Sequence, residues 1–208
     1  MQNSDLAKFK ENYFKNGTAY IEHAATPFNK AQTNKLFKIC EDVEKEFVTV
    51  GDADEPNHVY VGRFMTDIKK PEVVQNKFST ELIDTLWTNE MKTFIKSVIN
   101  TKDELYLRRI QYNEIFQDCF VGYHLDIDSN PDYLAACVIQ FGSDFDGGLY
   151  RVYNKENNEK YIDYKANFGS LIISDCQFPH EVTKVTRGKR GSLVFFVSKE
   201  NGLNKRNI

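Results

Sequence analysis

The first half of the chain has hydrophobic residues at the spacing that is typical of helices. Asn29 and Gln32 lie three positions apart and resemble a capping box, which marks the start of a helix. The apolar residues that follow recur at intervals of three or four positions: Leu36, Ile39, Cys40, Val43 and Phe47. This period predicts an amphipathic helix that extends from the capping box to about residue 47.

A second helical region is predicted over about residues 71–99. Its apolar positions include Leu82, Ile83, Leu86, Phe94, Ile95 and Val98. The pattern breaks near Thr88 and Asn89, where Asn89 could cap a new helix. Between the two helical regions, the Gly, Asp, Pro and Asn residues of 51–57 predict a loop.

From Glu104 onwards the pattern changes to short apolar runs that alternate with turn residues. Strand-like runs cover residues 105–116, 133–141, 148–153, 160–164, 169–174, 180–186 and 192–198. Many short strands without intervening helices indicate an antiparallel sandwich or barrel. Because the helices come first and the strands follow, we expect an α+β fold in which N-terminal helices pack on one sheet of a jelly roll.

The length of 208 residues predicts a single domain, 1–208, with a substantial core. Within it, residues 1–103 would form a mainly helical support and residues 104–198 the jelly-roll core. The hydrophobic content of 41% and the charged content of 27% are ordinary for a globular protein.

Charge and composition narrow the expected partners and location. A formal net charge of −3 provides no basic field, so nucleic acid is not an expected partner. No apolar stretch approaches the roughly 20 residues that cross a bilayer, and the polar start has no signal-peptide pattern. The four cysteines show no CxxC pair or regular spacing, which favours reduced thiols and a cytoplasmic protein.

Three residues have the types and spacing of a non-haem iron site. Alternate residues of a strand point to the same side, so His124 and Asp126 can reach one ion while Leu125 points away. His180, in a later apolar segment, would complete a set of two histidines and one carboxylate that leaves Fe(II) positions open for chemistry. A His-x-Asp tripeptide by itself is weak evidence, because a histidine is often merely oriented by a nearby carboxylate.

Arg190 strengthens this interpretation. An iron oxygenase that uses a 2-oxo acid needs a cation for the far carboxylate of that acid, and a planar guanidinium is well suited to it. Arg190 follows His180 by ten positions, and Ser192 shares its face of the strand by alternation.

From Tyr112 to Val197 the chain resembles the prolyl 4-hydroxylase-like branch of the Fe(II)/2-oxoglutarate dioxygenases, which includes the hypoxia-factor prolyl hydroxylases. The matching segments are 124–126, 145–152, 178–182 and 188–193. The helical half carries no matching motif. The fold implied by the resemblance is the double-stranded β-helix, or jelly roll.

Residue by residue, the resemblance implies His124, Asp126 and His180 as iron ligands. Arg190 would form a salt bridge to the distal carboxylate of 2-oxoglutarate, and Ser192 would donate a second hydrogen bond to it. Lys189 is a competing candidate, since some relatives use lysine, but the neighbouring residues favour Arg190.

The resemblance suggests four further contacts. Tyr112 would contact the co-substrate, and Gln140 aligns with a position that is tyrosine in some relatives. Arg151 aligns with a substrate-facing arginine, although a surface ion pair is an alternative. On the last strand, the chain has Phe196 or Phe195 where prolyl hydroxylases often carry tryptophan, so Phe196 is a candidate for the substrate pocket. For Tyr112, a core or rim position in the sheet is the alternative.

The implied cofactors are Fe(II), 2-oxoglutarate and O2, with ascorbate as a reductant. The implied reaction hydroxylates an unactivated C–H bond and releases succinate and CO2. Asp126 favours hydroxylation, because related halogenases have a small residue in place of this carboxylate. A prolyl residue in a peptide or protein is the first expected substrate, and a free amino acid or small metabolite is the alternative. A non-catalytic metal-binding or sugar-binding jelly roll is a third hypothesis, but the chain lacks the His-x-His pattern with a later Glu that is typical of cupins.

Overall fold

The computed structural model describes residues 3–142 and 144–207, and within these ranges it contains four α-helices and thirteen strands. The helices are α1 (Asn3–Asn16), α2 (Lys30–Asp42), α3 (Ser79–Leu86) and α4 (Asn89–Val98). The strands are β1 (Thr18–Ile21), β2 (Glu46–Val50), β3 (Pro56–Asp67), β4 (Pro71–Val73), β5 (Tyr106–Phe116), β6 (Phe120–His124), β7 (Ala135–Phe141), β8 (Phe145–Gly147), β9 (Tyr150–Tyr153), β10 (Tyr161–Tyr164), β11 (Leu171–Asp175), β12 (His180–Val182) and β13 (Val185–Ser198). In the described ranges, no helix has the length and apolarity needed to cross a bilayer.

The strands form two antiparallel layers that strand β3 joins. One layer has the order β1-β11-β7-β13-β5-β3, and the other continues from β3 through β6-β12-β9-β10. Asn57 and His58 of β3 pair with β6, whereas the later residues of the same strand pair with β5. The resulting nearly closed sheet is the double-stranded β-helix, so the predicted α+β jelly roll is confirmed.

Two of the three hydrophobic clusters among the described residues lie on the two sides of the first layer. On its outer side, helices α2, α3 and α4 pack against the sheet, and Leu36, Ile95 and Phe195 belong to this core. Between the layers lies a second core, which includes Val59 and Val138. The N-terminal helices therefore cover one sheet, as the order of elements predicts, and they leave the space between the layers for a site.

The predicted helix after Asn29 is present, but it ends earlier than the spacing suggests. The amide of Gln32 donates to Asn29 Oδ1 at 2.9 Å, and the amide of Asn29 donates to Gln32 Oε1 at 3.0 Å, which completes the capping box. Helix α2 ends at Asp42, and Phe47 belongs to β2, where it pairs with Tyr60 of β3. The apolar spacing that included Phe47 arises from a strand that follows the helix.

The structure adds four strands, β1–β4, to the region 1–103, for which the sequence predicted mainly helix. The predicted helical region 71–99 starts with β4, and α3 begins only at Ser79. The break before α4 is confirmed, but Thr88 caps the helix, since its hydroxyl accepts from the amide of Met91 at 3.2 Å. The sheet therefore begins before residue 104.

Candidate active site

Neighbouring strands bring the two predicted histidines side by side. His124 is the last residue of β6 and His180 is the first residue of β12, and the two are direct partners in the antiparallel pairing. Leu125 has an extended backbone, and Asp126 follows it as the first residue of a short 3-10 helix. The alternation expected for His-x-Asp is thus retained, although Asp126 lies just beyond the strand.

The side chains of His124, Asp126 and His180 form one buried cluster. His124 Nε2 lies 3.4 Å from Asp126 Oδ1, and His180 Nε2 lies 3.5 Å from Asp126 Oδ2. One ligand atom from each residue can be chosen so that all three lie within 4.8 Å of one another. These separations are long for hydrogen bonds, but they suit three donors around one ion.

The backbone orients both imidazoles. His124 Nδ1 lies 2.7 Å from the carbonyl oxygen of Gly122, and His180 Nδ1 lies 3.1 Å from that of Phe178. Because a carbonyl oxygen only accepts, each Nδ1 carries a hydrogen, and Nε2 is the atom that presents a lone pair when the imidazole is neutral. Asp126 Oδ2 is buried and has no hydrogen-bond partner among the described residues. Two lone pairs and an unpartnered carboxylate oxygen fit a divalent metal ion.

The charges of the cluster are strongly coupled. Burial opposes a charge on His124, but the adjacent carboxylate of Asp126 outweighs burial and raises the pKa of His124 to about 9 in the absence of a metal, so metal binding displaces the Nε2 proton. Burial lowers the pKa of His180. Burial alone would raise the pKa of Asp126, yet the two histidines and Arg109 hold it below its usual range. The carboxylate is therefore ionised and available as a ligand.

A series of hydrogen bonds links His124 to the loop between β2 and β3. Asn57 Nδ2 donates to Glu55 Oε1 at 2.8 Å, and the amide of Gly122 donates to Asn57 Oδ1 at 3.1 Å. Gly122 is the residue whose carbonyl oxygen accepts from His124. The orientation of this imidazole is thus fixed through two elements.

Arg190 is a buried cation in the same cavity as the three residues. Its Nη1 donates to Ser192 Oγ at 3.0 Å, whereas its Nε and Nη2 have no partner among the described residues. Burial lowers the pKa of Arg190 to about 10, which still leaves the guanidinium charged at neutral pH. A buried guanidinium with unpaired N–H groups calls for an anion, and a carboxylate matches its geometry.

The competing candidate, Lys189, lies on the other face of β13. Its ammonium forms ion pairs with Glu41 at 2.9 Å and with Glu114 at 3.1 Å. Since consecutive residues of a strand point to opposite faces, only Arg190 reaches the cavity. The structure supports the choice of Arg190 over Lys189.

Tyr112 does not reach the cavity, so its expected contact with the co-substrate is corrected. It belongs to the outer core beneath the helices, and its hydroxyl donates to Glu41 Oε1 at 2.8 Å. The inner face of β5 is formed by Arg109, Gln111 and Asn113. Asn113 is the direct partner of Ser192 across the strands and stands close to where the tyrosine was expected.

The two expected contacts at Gln140 and Arg151 also differ in the structure. Gln140 is the partner of Ser192 on β7, but it does not line the cavity, and its amide nitrogen donates to the carbonyl oxygen of Phe141 at 2.6 Å. Arg151 lies outside the cavity and pairs with Asp163 at 2.7 Å, which is the alternative considered for it. In β9 the inward positions belong to its neighbours Tyr150 and Val152, which are buried.

Phe196 lines the cavity as expected. Its ring stacks on Tyr133 at a centroid distance of 4.6 Å, and the guanidinium of Arg109 lies 4.4 Å from its centroid. Arg109, Asn113 and the loop residues Asp52 and Glu55 also line this cavity, and sequence reasoning missed all of them. The alternating polar residues at 109, 111 and 113 could have indicated Arg109 and Asn113, whereas no feature of the sequence indicated Asp52 and Glu55.

Comparison with known proteins agrees with this geometry. The family model of the 2OG-Fe(II) oxygenase superfamily matches residues 110–198. A 2OG-Fe(II) oxygenase family oxidoreductase from Burkholderia pseudomallei is 31% identical, with a TM-score of 0.88 over 97% of this chain and 94% of that one. No curated protein matches the chain.

More distant solved structures share the fold. A prolyl-4-hydroxylase from Pseudomonas putida is 14% identical, with a TM-score of 0.64 over 94% of this chain and 99% of that one. The non-heme alpha-ketoglutarate-dependent epimerase SnoN from nogalamycin biosynthesis is 8% identical, with a TM-score of 0.69 over 94% of this chain and 83% of that one.

Proposed function

Since the chain belongs to the 2OG-Fe(II) oxygenase superfamily, we propose that it is a hydroxylase of unactivated C–H bonds. As a member of this family it is an iron dioxygenase that uses Fe(II), 2-oxoglutarate and O2. Family membership also argues against the non-catalytic jelly roll, in which Arg190 and Ser192 would have no role. The substrate gains one oxygen atom of O2, and 2-oxoglutarate becomes succinate and CO2.

The roles of the residues follow from their positions. His124, Asp126 and His180 would hold the iron through two imidazole nitrogens and one carboxylate oxygen. Arg190 and Ser192 would bind the distal carboxylate of 2-oxoglutarate. When bound, iron and the co-substrate supply the oxidising chemistry. The protein orients the reactants and excludes water, and the valine side chains on the walls of the cavity serve this purpose.

The observation that carries the proposal is the buried Arg190 beside the metal-ligating cluster. Its two unpartnered nitrogens lie in a cavity that also contains two lone-pair donors and an unpartnered carboxylate oxygen. A purely structural arginine would be paired, because an unpaired buried charge is costly. A dicarboxylate that chelates a metal with one end and needs a cation at the other fits both features.

The first test is anaerobic titration of the Fe(II)-loaded protein with 2-oxoglutarate, observed through the visible charge-transfer band of the chelate. We expect Arg190→Met to weaken 2-oxoglutarate binding about 10- to 100-fold, because charge-assisted hydrogen bonds contribute about 1.5–3 kcal/mol. Arg151→Met is the matched control, since Arg151 is an arginine that lies outside the cavity. It should bind 2-oxoglutarate as the parent does.

Parent protein that binds iron without developing the band would contradict the proposed co-substrate site. Equal affinities of Arg190→Met and Arg151→Met for 2-oxoglutarate would show that another group binds its carboxylate. Methionine suits the buried position of Arg190, since apolar replacements of buried ionic groups are often tolerated.

For the substrate, hydroxylation of a prolyl residue in a peptide is our first candidate. It is supported by the resemblance of residues 112–197 to prolyl hydroxylases and by the similarity of the fold to the Pseudomonas putida enzyme. Phe196 would give the pocket a smaller aromatic wall than the tryptophan that prolyl hydroxylases often carry on this strand. Incubation with proline-containing peptides, followed by mass spectrometry, should reveal a gain of one oxygen atom.

A free amino acid or small metabolite is the second candidate, and one observation favours it. A second buried arginine, Arg109, lies in the cavity, and this position offers an anchor for an anionic group of a small substrate. Succinate release in the presence of individual amino acids, compared with the peptides, separates the two candidates.

A further inference from the structure

Arg109 is a second cation in the cavity, and the co-substrate site does not use it. Only 9% of the residue is exposed, and its Nε has no hydrogen-bond partner among the described residues. The guanidinium lies over the ring of Phe196 and within 5.8 Å of the centroid of Tyr133. These rings and the walls of the cavity hold the charged group in one place.

Arg109 and Arg190 lie at different ends of the cavity. Arg109 pairs with Phe196 of β13, while Arg190 lies six residues earlier on that strand. At about 3.4 Å per residue, these positions are roughly 20 Å apart along the strand. The distal carboxylate of a small dicarboxylate can be bound by only one of these two arginines, and the proposed function assigns it to Arg190, which has two unpartnered nitrogens. Arg109 is available to a different molecule.

In the structure, a carboxylate already binds Arg109. It belongs to Asp52, in the loop that joins β2 to β3, and it accepts from Arg109 Nη1. The side chain of Asp52 is 48% exposed, so it lies at the surface of the protein. Arg206 holds the loop by donating to the carbonyl oxygen of Asp52 and to Asp54 Oδ2 at 2.6 Å. Movement of one surface loop would thus expose the guanidinium.

We infer that Arg109 anchors the carboxylate of a small primary substrate, and that Asp52 occupies this position until the substrate displaces it. This inference rests on the proposed function and decides between its two substrate classes. The group bound to Arg109 is a single carboxylate, and Asp126 and Glu55 add negative charge nearby. A monoanion therefore suits the site better than a phosphate dianion.

Glu55 further narrows the substrate class to free amino or imino acids. It lines the same cavity, and its two carboxylate oxygens accept from Asn57 Nδ2 at 2.8 Å and from the amide of Ala53 at 3.0 Å. Each oxygen retains a further lone pair for a substrate ammonium group. A zwitterion complements a cavity with Arg109 and Glu55, whereas a peptide blocked at both ends offers neither charge.

The test uses the Fe(II)- and 2-oxoglutarate-loaded enzyme with a panel of free L-amino and L-imino acids and their carboxamides. Anaerobic calorimetry measures binding, and succinate release in air measures turnover. We expect at least one free acid to bind and to stimulate succinate release, and its carboxamide to bind about 10- to 100-fold more weakly. Arg109→Met should raise the KM for that acid by a similar factor.

Two further variants separate an anchor from a structural arginine. Arg109→Lys keeps the charge and should restore part of the affinity for the acid, and Asp52→Asn removes the competing carboxylate and should strengthen binding. The matched control Arg151→Met should leave the KM for the acid unchanged, because Arg151 lies on the outer face of β9.

Three outcomes would overturn the inference. The first is equal binding of an acid and its carboxamide, and the second is an unchanged KM for the acid in Arg109→Met. The third is turnover of a doubly blocked prolyl peptide at a rate that Arg109→Met does not change. If the proposed function itself were wrong, the parent would show no Arg190-dependent binding of 2-oxoglutarate. That result is measured without a primary substrate, so the two failures are distinguishable.

Discussion

Gly148 lies directly against the side chain of Arg190. Its φ is +57°, and a Cβ at this position would lie 3.0 Å from both Arg190 Cδ and Val185 Cγ2. Alanine would have to displace one of these side chains, and the left-handed backbone costs an L-residue about 1–2 kcal/mol. We therefore expect Gly148→Ala to lower the free energy of unfolding by about that amount and to weaken 2-oxoglutarate binding. Urea unfolding and the anaerobic titration measure the two effects.

Gly202→Ala is the control for this substitution. A Cβ at Gly202 would meet nothing within 4 Å, and its φ lies outside the left-handed range. This variant should match the parent in stability and in 2-oxoglutarate affinity. Parent-like affinity in Gly148→Ala would mean that the position of Arg190 does not depend on this glycine.

At the residue scale, the sequence predicts what depends on local spacing. His124 and Asp126 are two residues apart, so backbone alternation alone brings their side chains together. The inward face of β5 is not a local property, because both faces of this strand are largely buried. Helix α2 covers the face of Tyr112, and Glu41 of this helix accepts a hydrogen bond from the Tyr112 hydroxyl. Only the folded chain shows that Asn113 faces the cavity.

At the scale of elements, Glu41 connects helix α2 to two strands of the sheet. It accepts from Tyr112 of β5 at 2.8 Å and from Lys189 of β13 at 2.9 Å. Burial would raise the pKa of Glu41, but the hydrogen bonds from Lys189 and Tyr112 outweigh it and lower the pKa. Since the folded state lowers this pKa, ionised Glu41 stabilises the protein above the unfolded pKa, and the stabilisation is lost as pH falls through the folded value.

We therefore expect Glu41→Gln to destabilise the protein at pH 7 by about 1 kcal/mol or less, because the Glu41 side chain is 33% exposed and solvent screens the pair. The difference from the parent should shrink as the pH falls below about 4. Urea unfolding at a series of pH values measures it. Glu72→Gln is the control, since Glu72 is 63% exposed and 3.7 Å from Lys70. A difference between Glu41→Gln and parent that stays constant with pH would contradict the assigned role.

The elements differ in how far the sequence could predict them. Helix α2 has its own start in the capping box of Asn29 and Gln32, so its beginning is predictable locally. Strands β1 to β4 depend on partners that are distant in sequence, such as the pairing of Thr18 with Ser174. Their short lengths and polar residues give little local indication, and the predictions for 1–103 accordingly omitted them.

At the scale of the whole molecule, a buried ion pair joins segments from four parts of the chain. Arg108 of β5 donates to both carboxylate oxygens of Asp67, at 2.9 and 3.0 Å, and both side chains are fully buried. Asn130 Nδ2 donates to Asp67 Oδ2 at 2.8 Å, and Arg108 Nη1 donates to the carbonyl oxygen of Glu200 at 2.9 Å. The pair thus ties β3 and β5 to the C-terminal segment.

Asp67→Ala should lower the free energy of unfolding by about 3–5 kcal/mol, because it leaves a buried, unpaired guanidinium. The double variant Asp67→Leu with Arg108→Met should recover much of this loss, since apolar replacement removes both charges together. Urea unfolding measures both variants. A loss below about 1 kcal/mol in Asp67→Ala would indicate that water reaches Arg108 once the carboxylate is gone.

The fold class and the metal-ligating cluster were predictable because the order of elements and three spaced residues sufficed for both. The walls of the cavity were not predictable, because they include residues from the region before β5. Asp52 and Glu55 come from the loop before β3, and β3 itself joins the two layers. No short segment of the sequence contains that arrangement.

Strand β13 carries Arg190 near its middle and Phe196 near its C-terminal end, so one stretch of backbone fixes the distance between the co-substrate position and the aromatic wall. Asp52, Arg109 and Arg206 lie outside the 110–198 segment that the family model covers. The metal-ligating cluster and the charged residues of the proposed substrate anchor are therefore encoded in separate stretches of the chain. Gene duplication followed by change in the loop before β3 could diversify what such an enzyme accepts while its oxidation machinery is inherited intact.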